Sequence, residues 1–238
     1  MEKKRIRWMK KKRKKFSEKE MPKKLLRSQL KELLKELPLS QIQNESQAVT
    51  EKLLNSSWFQ NSKRVAVFLN MRSEIHTNYF IEKVFESHPN VQLYTPRMVP
   101  RTKSQPKAQS QSGDVVHPVP SSLSKESVLG FIGMDFLRIN SLEDFKSFPL
   151  DAWGIPTPTL TVTQNEVEKP RESAFYQFKN GTETELITHP FDLVLVPNVC
   201  VDRSFARLGH GKGYYDSFIR YLRAISTKFQ SPPPRIGK

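Results

Sequence analysis

The segment DLVLVPNVCVDRSFARLGHGKGYYDSFI, residues 192–219, contains the order of elements that decides the fold class of this protein. A continuous apolar run leads into a turn with three alternately spaced glycines, and a helix that begins with two tyrosines and an aspartate follows. A strand, a glycine-rich turn and a helix in this order present backbone N–H groups and the positive end of a helix dipole to an anion. The segment therefore predicts the geometry of an oxyanion or phosphate cradle.

The residue types of the turn suit such an anion. Positive φ angles at its glycines would let the backbone approach a phosphate without Cβ clashes. These glycines are Gly209, Gly211 and Gly213. Arg207, His210 and Lys212 would add positive charge.

The spacing of the glycines fits neither common nucleotide motif. A P-loop requires Ser or Thr after the lysine, whereas Gly213 follows Lys212, and a dinucleotide fingerprint has its third glycine one position later. A phosphate site and a tight turn with glycines for packing both remain open. Asp216 could be an Mg²⁺ ligand or could complement the helix dipole. Tyr214 and Tyr215 could pack in the core or stack on a heterocycle.

The pattern of the remaining chain predicts alternating helices and strands. Leucines at positions 26, 30, 33 and 37 predict an amphipathic helix that ends at Pro38, and Ser40 with Gln43 predicts a capping box for a second helix to about Ser57. Strands are predicted at residues 64–69, 91–96, 134–139 and 192–197. Thr77 is predicted to cap the helix between the first two strands, and Ser141 with Asp144 a short helix before the last.

This order predicts a single α/β domain, residues 23–238, with a central, mostly parallel sheet flanked by helices and an N-terminal helical pair. Two stretches, residues 101–132 and 159–190, are polar, aperiodic and longer than ordinary connections. We interpret them as surface insertions that are partly disordered.

The net charge of +15 is concentrated at the start of the chain, because residues 1–24 contain thirteen Lys or Arg against three Glu, a balance of +10. Such a block predicts a disordered tail, residues 1–22. RNA, anionic lipid and a nuclear address remain alternatives for residues 3–15, as does a solvated tail without a specific partner. A mitochondrial presequence is a weaker alternative, because this block contains more Lys than Arg and also contains Glu2.

Cysteine content and hydropathy indicate the cellular setting. A single cysteine, Cys200, permits no intrachain disulfide, and its apolar surroundings favour a buried filler over a nucleophile. No apolar run approaches the roughly 20 residues of a membrane span. We expect a cytoplasmic monomer, with mitochondria or the nucleus as alternatives because of the basic start.

Residues 193–219 resemble the C-terminal signature of the 5-formyltetrahydrofolate cyclo-ligase family, also called 5,10-methenyltetrahydrofolate synthetases. The signature ends in Arg-Leu-Gly-x-Gly-x-Gly-Tyr-Tyr-Asp. Other segments resemble the family in the family's order, namely KKLLRSQLKELL its N-terminal helix, VAVFLNMRSEIHT its first strand, LYTPR its second strand and WGIPTP its Trp-x-Ile-Pro-x-Pro segment. The resemblance covers most of residues 23–226 apart from the two insertions.

The resemblance implies an enzyme that uses ATP and Mg²⁺ to cyclise 5-formyltetrahydrofolate to 5,10-methenyltetrahydrofolate, with release of ADP and phosphate. It implies ATP contacts at Lys23, Lys24, Leu25, Leu26, Arg27, Arg207, Leu208, Gly209, His210, Gly211, Lys212, Gly213, Tyr214 and Tyr215. It implies substrate contacts at Leu69, Met71, Glu74, His210, Gly211, Lys212, Gly213 and Tyr214.

Within that set, Arg207, Lys212 and Tyr214 are the implied catalytic residues and Asp216 the implied Mg²⁺ ligand. Glu74 would accept hydrogen bonds from the pterin ring. By composition alone Met71 and Trp153 could equally lie in the core, and the resemblance favours a pocket position for Met71.

The sequence departs from the family pattern in two places. Asn198 replaces a common glycine, and the family continues into further strands and another acidic residue where PPPRIGK, residues 232–238, is the last segment here. We therefore expect an apparently truncated chain with an unpaired sheet edge and poor stability or weak activity. The alternative function is that of a catalytically weak relative that binds RNA or other polyanions through its basic start, although few aromatic residues lie among those charges.

Overall fold

The structure is a computed structural model that describes residues 22–99, 108–109, 115–116, 124–164, 166–179, 182–187 and 189–237. The predicted basic tail, apart from Pro22, and most of the first predicted insertion lie outside these residues. Within the described ranges, no helix combines the length and apolar character needed to cross a bilayer.

The described chain contains helices and strands, with three helices before the first strand. The helices are α1 (Lys23–Lys35), α2 (Leu39–Leu54), α3 (Ser57–Gln60), α4 (Asn78–Ser87), α5 (Lys125–Ile132), α6 (Leu142–Lys146) and α7 (Tyr214–Lys228). The strands are β1 (Arg64–Ala66), β2 (Gln92–Met98), β3 (Ala108–Gln109), β4 (Val115–Val116), β5 (Met134–Ile139), β6 (Thr161–Gln164), β7 (Val167–Pro170), β8 (Tyr176–Lys179), β9 (Thr182–Leu186), β10 (Leu193–Leu195), β11 (Cys200–Val201), β12 (Arg207–Leu208) and β13 (Arg235–Gly237).

A five-stranded sheet with the order β13-β10-β1-β2-β5 forms the centre. β1 is parallel to both β10 and β2, and β10 is parallel to β13. β5 runs antiparallel to β2 at one edge. The predicted α/β fold with a central, mostly parallel sheet is therefore confirmed.

Both faces of this sheet are covered, as the continuous apolar run of residues 64–69 predicts. Val65 and Val67 belong to a buried cluster formed with α3, α4 and α6, whereas Ala66 belongs to a second cluster formed with α5 and α7. All three side chains are completely buried. Because successive side chains of a strand point to opposite faces, the two clusters lie on the two sides of the sheet.

The helix boundaries differ from the predicted capping pattern. α2 begins directly after Pro38, whose carbonyl accepts the first helical hydrogen bonds, and no side chain caps it. The predicted capping box of Ser40 and Gln43 is therefore wrong. The predicted second helix ends at Leu54, and Ser56 caps the separate helix α3 by accepting a hydrogen bond from the Phe59 amide at 3.2 Å.

Two further capping predictions have different outcomes. Thr77 precedes α4, but its hydroxyl donates to the Phe68 carbonyl at 2.8 Å instead of capping the helix. Ser141 does cap α6, because its hydroxyl accepts from the Asp144 amide at 3.1 Å.

Residues 159–190, which the sequence predicts to be a partly disordered surface insertion, contain regular secondary structure in their described part. Their described part forms two antiparallel hairpins, β6–β7 and β8–β9. Between the hairpins, Phe175 is completely buried among core phenylalanine rings, and the buried Arg171 pairs with Asp144 at 2.6 Å. α5 likewise falls within the predicted first insertion, residues 101–132, and contributes to the core. These described parts of the two predicted insertions therefore contribute to the packed domain.

The strand β13 covers one edge of β10. Val194 lies opposite Ile236 in parallel register, and the Val196 amide donates to the Gly237 carbonyl at 2.9 Å. The expectation that β10 would be an unpaired edge is therefore wrong, because the last described residues are enough to pair with it.

Candidate functional site

The candidate site lies where the strand order of the sheet changes direction. The strands β1 and β10 are neighbours in the sheet. From β1 the chain continues to β2, toward one edge of the sheet, and from β10 it continues to β13, toward the opposite edge. In open α/β sheets the crevice at such a switch, beyond the carboxyl ends of the strands, is where ligands bind. The Glu74 loop, residues 70–77, follows β1, and the glycine turn, residues 209–213, comes after β10.

Glu74 joins these two loops. Its side chain is 8% exposed, and Oε2 accepts a hydrogen bond from the Met71 amide at 2.8 Å. The other carboxylate oxygen, Oε1, lies 2.8 Å from Nε2 of His210. The predicted folate-binding carboxylate therefore contacts a residue of the predicted nucleotide turn.

The Glu74 loop is held by polar residues that sequence reasoning did not assign to the site. Oδ1 of Asn70 accepts from the Thr77 amide at 3.0 Å, and the hydroxyl of Ser46 on α2 accepts from the His76 amide at 2.8 Å. Asn70 could have been identified as a site residue, because it is a polar residue directly after a buried strand. Ser46 gave no comparable signal, because it is a small polar residue within a helix.

The glycines of the turn differ in backbone conformation. Gly211 and Gly213 have positive φ angles of 92° and 72°, as predicted, whereas Gly209 does not. Gly213 is the N-cap of α7, and no side chain caps this helix. Its first amides therefore remain oriented toward the glycine turn.

Two arginine side chains pack against the turn. A Cβ atom at Gly209 would lie 2.7 Å from the Arg207 guanidinium, and one at Gly211 would lie 3.3 Å from the guanidinium carbon of Arg27. Nε of Arg27 also donates to the Gly209 carbonyl at 2.7 Å. The first helix and the glycine turn are thus brought together, as the resemblance predicts.

Arg207 points beneath the turn. Its guanidinium donates to the Pro197 carbonyl at 2.9 Å and forms an ion pair with Asp216, and only 9% of its side chain is exposed. The predicted ATP contact and catalytic role of Arg207 stay a prediction. Asp216 in turn is 64% exposed.

The other residues of the turn lie closer to solvent. Lys212 is exposed, and His210, Leu208 and Tyr214 are half-buried. The hydroxyl of Tyr215 is buried and has no hydrogen-bond partner within the described part of the chain. Burial raises the pKa of this phenol, the nearby Glu74 raises it further and Arg207 lowers it, so the hydroxyl stays protonated.

The remaining predicted ATP contacts lie on α1. Lys23, Lys24 and Leu25 are exposed, whereas Leu26 and Arg27 are half-buried. Among these residues, Arg27 donates a hydrogen bond to the Gly209 carbonyl of the turn. The N-terminal end of α1 therefore brings positively charged side chains to the site.

The remaining predicted substrate contacts and candidate pocket residues have mixed positions. Leu69 is buried in the core cluster below the sheet end, and Met71 is half-buried in the Glu74 loop. Trp153 is 70% exposed, so it is not a core residue. Cys200 is half-buried, and burial together with Asp202 raises the pKa of its thiol, which fits a filler better than a nucleophile.

Asp216 is the candidate carboxylate ligand for a magnesium ion. Among the described residues, no group of three or more His, Cys, Asp or Glu side chains is arranged to hold a metal ion. Mg²⁺ is nonetheless commonly bound by one or two carboxylates together with substrate phosphates and water. The exposed Asp216 at the start of α7 fits that donor set.

The sequence matches the family model of the 5-formyltetrahydrofolate cyclo-ligase family over residues 19–234. The chain belongs to this family. The predicted family and the predicted enzyme class, a cyclo-ligase, are therefore confirmed.

Individual relatives agree with this assignment. A probable 5-formyltetrahydrofolate cyclo-ligase of Caenorhabditis elegans is 30% identical over 193 residues, which are 81% of this chain and 70% of that protein. The 5-formyltetrahydrofolate cyclo-ligase of Mus musculus is 27% identical over 218 residues, 87% of this chain and 83% of that protein. A mitochondrial 5-formyltetrahydrofolate cyclo-ligase of Arabidopsis thaliana is 23% identical over 200 residues, 83% and 57% of the two chains.

The fold is shared with a solved structure. The NMR structure of Aquifex aeolicus 5,10-methenyltetrahydrofolate synthetase superimposes with a TM-score of 0.50 at 19% identity. The similarity covers 84% of this chain and 73% of that one. It extends the family assignment to the three-dimensional fold.

Proposed function

We propose that this chain catalyses the ATP- and Mg²⁺-dependent cyclisation of 5-formyltetrahydrofolate to 5,10-methenyltetrahydrofolate, with release of ADP and phosphate. The observation that carries the proposal is the 2.8 Å contact between Glu74 and His210. This contact joins a carboxylate suited to a pterin with a turn suited to phosphates, as a reaction between a folate and ATP requires.

The chemistry calls for positioning and for stabilisation of charge. The formyl oxygen attacks the γ-phosphorus of ATP, and ADP leaves. N10 then attacks the activated formyl carbon and loses its proton, and the phosphate departs with the former formyl oxygen. No protein nucleophile is needed, so oriented cations and amides supply the catalysis.

The proposed roles of the residues follow from their positions. Glu74 accepts hydrogen bonds from the donor edge of the pterin, in competition with His210 for Oε1, while the Met71 amide holds Oε2. Lys212 and the first amides of α7 stabilise the charge on the transferred phosphoryl group. Tyr214, half-buried between the two ligands, contacts both.

ATP would bind over the glycine turn with the cations of α1 beside it. Lys23, Lys24 and Arg27 lie at the end of α1 that approaches the turn through the Arg27 contact with Gly209. Mg²⁺ would be held by an oxygen of Asp216 and would neutralise charge on the ATP phosphates. The first carboxylate oxygen of Asp216 pairs with Arg207, which leaves the second oxygen for the ion.

A direct assay tests the proposal. Purified chain is supplied with 5-formyltetrahydrofolate, ATP and Mg²⁺, and the formation of methenyltetrahydrofolate is followed by its absorbance, with ATP omitted as a control. We expect product only in the complete mixture. Absence of product from folded protein would contradict the proposed reaction.

Variants of Glu74 and Lys212 separate the two ligands. Glu74→Gln should raise KM for the folate by about 10-fold or more, because a carboxylate acceptor is lost, with a small effect on KM for ATP. Lys212→Ala should raise KM for ATP or lower kcat. Glu86→Gln is the matched control, because Glu86 is an acid on the surface of α4 that pairs with Lys83 at 2.7 Å.

We further propose that the protein acts as a cytoplasmic monomer. The basic residues 3–15 lie outside the described residues, and they keep mitochondrial and nuclear locations and RNA binding as alternatives. Imaging of the full chain and of a chain without residues 1–20 tests the location. A steep salt dependence of RNA affinity that is lost on the same deletion would favour the RNA-binding alternative.

A further inference from the structure

We propose that Asp216 is a positioning residue that fixes the glycine turn through Arg207, a role independent of any metal ion that it binds. The inference rests on the proposed binding of ATP at the glycine turn. It assigns to the Arg207–Asp216 pair a structural contribution to nucleotide affinity.

The guanidinium of Arg207 is in contact with three parts of the site. It donates to the Pro197 carbonyl at 2.9 Å, directly after β10, and it pairs with Asp216 in the first turn of α7. It also fills the space where a Cβ atom of Gly209 would lie, at 2.7 Å. One side chain therefore links the strand end, the turn and the helix start.

Burial makes this arrangement depend on Asp216. The Arg207 side chain is 9% exposed, and a buried guanidinium needs a compensating charge and satisfied donors. Asp216 supplies the charge and accepts from one guanidinium nitrogen, although its own side chain is 64% exposed. Loss of the carboxylate would leave the guanidinium uncompensated, and the favourable response is for Arg207 to move toward solvent.

Movement of Arg207 would change the shape of the turn. Gly209 rests on the Arg207 guanidinium, and its carbonyl accepts from Nε of Arg27 at 2.7 Å on α1. A shift beneath Gly209 would therefore also disturb the position of Arg27. The amides and cations that we assign to the phosphates would lose their common orientation.

Removal of metal separates this role from metal ligation. Binding of ADP is measured by calorimetry in EDTA and in Mg²⁺ for the wild type and for Asp216→Ala and Asp216→Asn. Asn keeps an oxygen that accepts from Arg207, so it is the conservative variant. In EDTA we expect about 10-fold weaker binding for Asp216→Ala and a loss of about threefold or less for Asp216→Asn.

A double-mutant cycle tests whether Asp216 acts through Arg207. Arg207→Ala should weaken ADP binding in EDTA as Asp216→Ala does, and the double variant should be no weaker than Arg207→Ala alone. Additive losses would overturn the inference. In the full reaction, Asp216→Ala should raise KM for ATP more than KM for the folate, a difference that a general loss of folded protein does not produce.

Hydrogen exchange of the free protein provides a second readout without nucleotide. In EDTA, Asp216→Ala should speed exchange of the amides in residues 208–213, while the amides of β1 keep their wild-type rates. Unchanged exchange would overturn the inference, and so would wild-type ADP affinity of Asp216→Ala in EDTA. If the wild type binds no ADP in either condition, the proposed nucleotide site itself fails.

Discussion

Phe205 adopts a backbone conformation that suits glycine. Its φ is 63°, and its side chain is 73% exposed. The conformation is maintained by Asp202, whose carbonyl accepts from the Phe205 amide at 3.0 Å and whose carboxylate accepts from the Ala206 amide at 2.9 Å. The hairpin β11–β12 therefore contains a strained residue close to the glycine turn.

Replacement of this residue should relieve the strain. We expect Phe205→Gly to stabilise the protein by about 1 kcal/mol, because a side chain in the left-handed region costs about 1–2 kcal/mol and glycine avoids it. Urea denaturation measures the change. Phe205→Ala is the matched control, since alanine keeps the Cβ atom; equal stability of the two variants would show that φ is not the cause.

Glycines in the same segment illustrate two separate requirements. Gly211 and Gly213 need their positive φ angles, whereas Gly209 needs space for the Arg207 guanidinium. Local sequence reasoning predicts the first requirement from turn chemistry. It could not predict the second, because the side chain that fills the space is placed by its pairing with Asp216.

At the scale of elements, one ion pair fixes the β6–β7 hairpin to α6. Arg171 has a side chain that is 1% exposed and forms two hydrogen bonds with Asp144, at 2.6 and 2.9 Å. It also donates to the Thr159 and Arg138 carbonyls at 2.8 and 2.9 Å. These contacts make the polar segment after residue 159 part of the domain.

Removal of one partner from this pair should destabilise the domain strongly. We expect Asp144→Ala to lower the free energy of unfolding by about 3 kcal/mol, because the buried guanidinium is left without its counter-charge. The double variant Asp144→Ala/Arg171→Met should recover part of the loss. Denaturation by urea measures both, and a double variant as unstable as the single one would contradict this explanation.

The same pair should make stability depend on acid pH. Burial would raise the pKa of Asp144, but hydrogen bonds from Arg171 and Asn140 and the charge of Arg171 outweigh it, so the pKa lies below the ordinary value of 3.8. A lowered pKa gives stability that is present above 3.8 and lost as pH falls through the folded-state value.

We therefore expect the free energy of unfolding to fall as pH decreases below about 4. The pKa values of Glu172 and Asp192 are also lowered, against the effect of burial, and add to the fall. Asp144→Asn should show a shallower decrease than the wild type in denaturation experiments across this range. Parallel pH profiles would exclude Asp144 as a contributor.

At the scale of the whole molecule, the site depends on the strand order of the sheet. The Glu74 loop and the glycine turn meet because β1 and β10 are neighbours whose connections leave in opposite directions. The strand β13 supports this arrangement by pairing with β10. Stability of the sheet edge and the geometry of the site are thus linked.

A chain that ends at residue 234 should be less stable. We expect a loss of about 3 kcal/mol, because the ladder hydrogen bonds of β13 and the packing of Ile236 against the core disappear. Denaturation midpoints and light scattering measure stability and association. An unchanged midpoint would mean that β13 contributes little.

Much of the fold could be predicted because it rests on local patterns. The apolar runs that form β1 and β10 are largely buried, and this composition is visible without a structure. The polar segment of residues 159–190 misled prediction, because only a few of its side chains, Phe175 among them, enter the core. A short buried stretch within a polar segment gives no periodic signal.

The sequence by itself determined the α/β class, the family and the residue types of the site, since each depends on neighbours in the chain. The tertiary structure alone decided how those residues act on one another. Glu74 meets His210 across 136 residues, and Arg27 meets Gly209 across 182. Such contacts follow from the strand order and from the packing of α1 and α7, which no local pattern encodes.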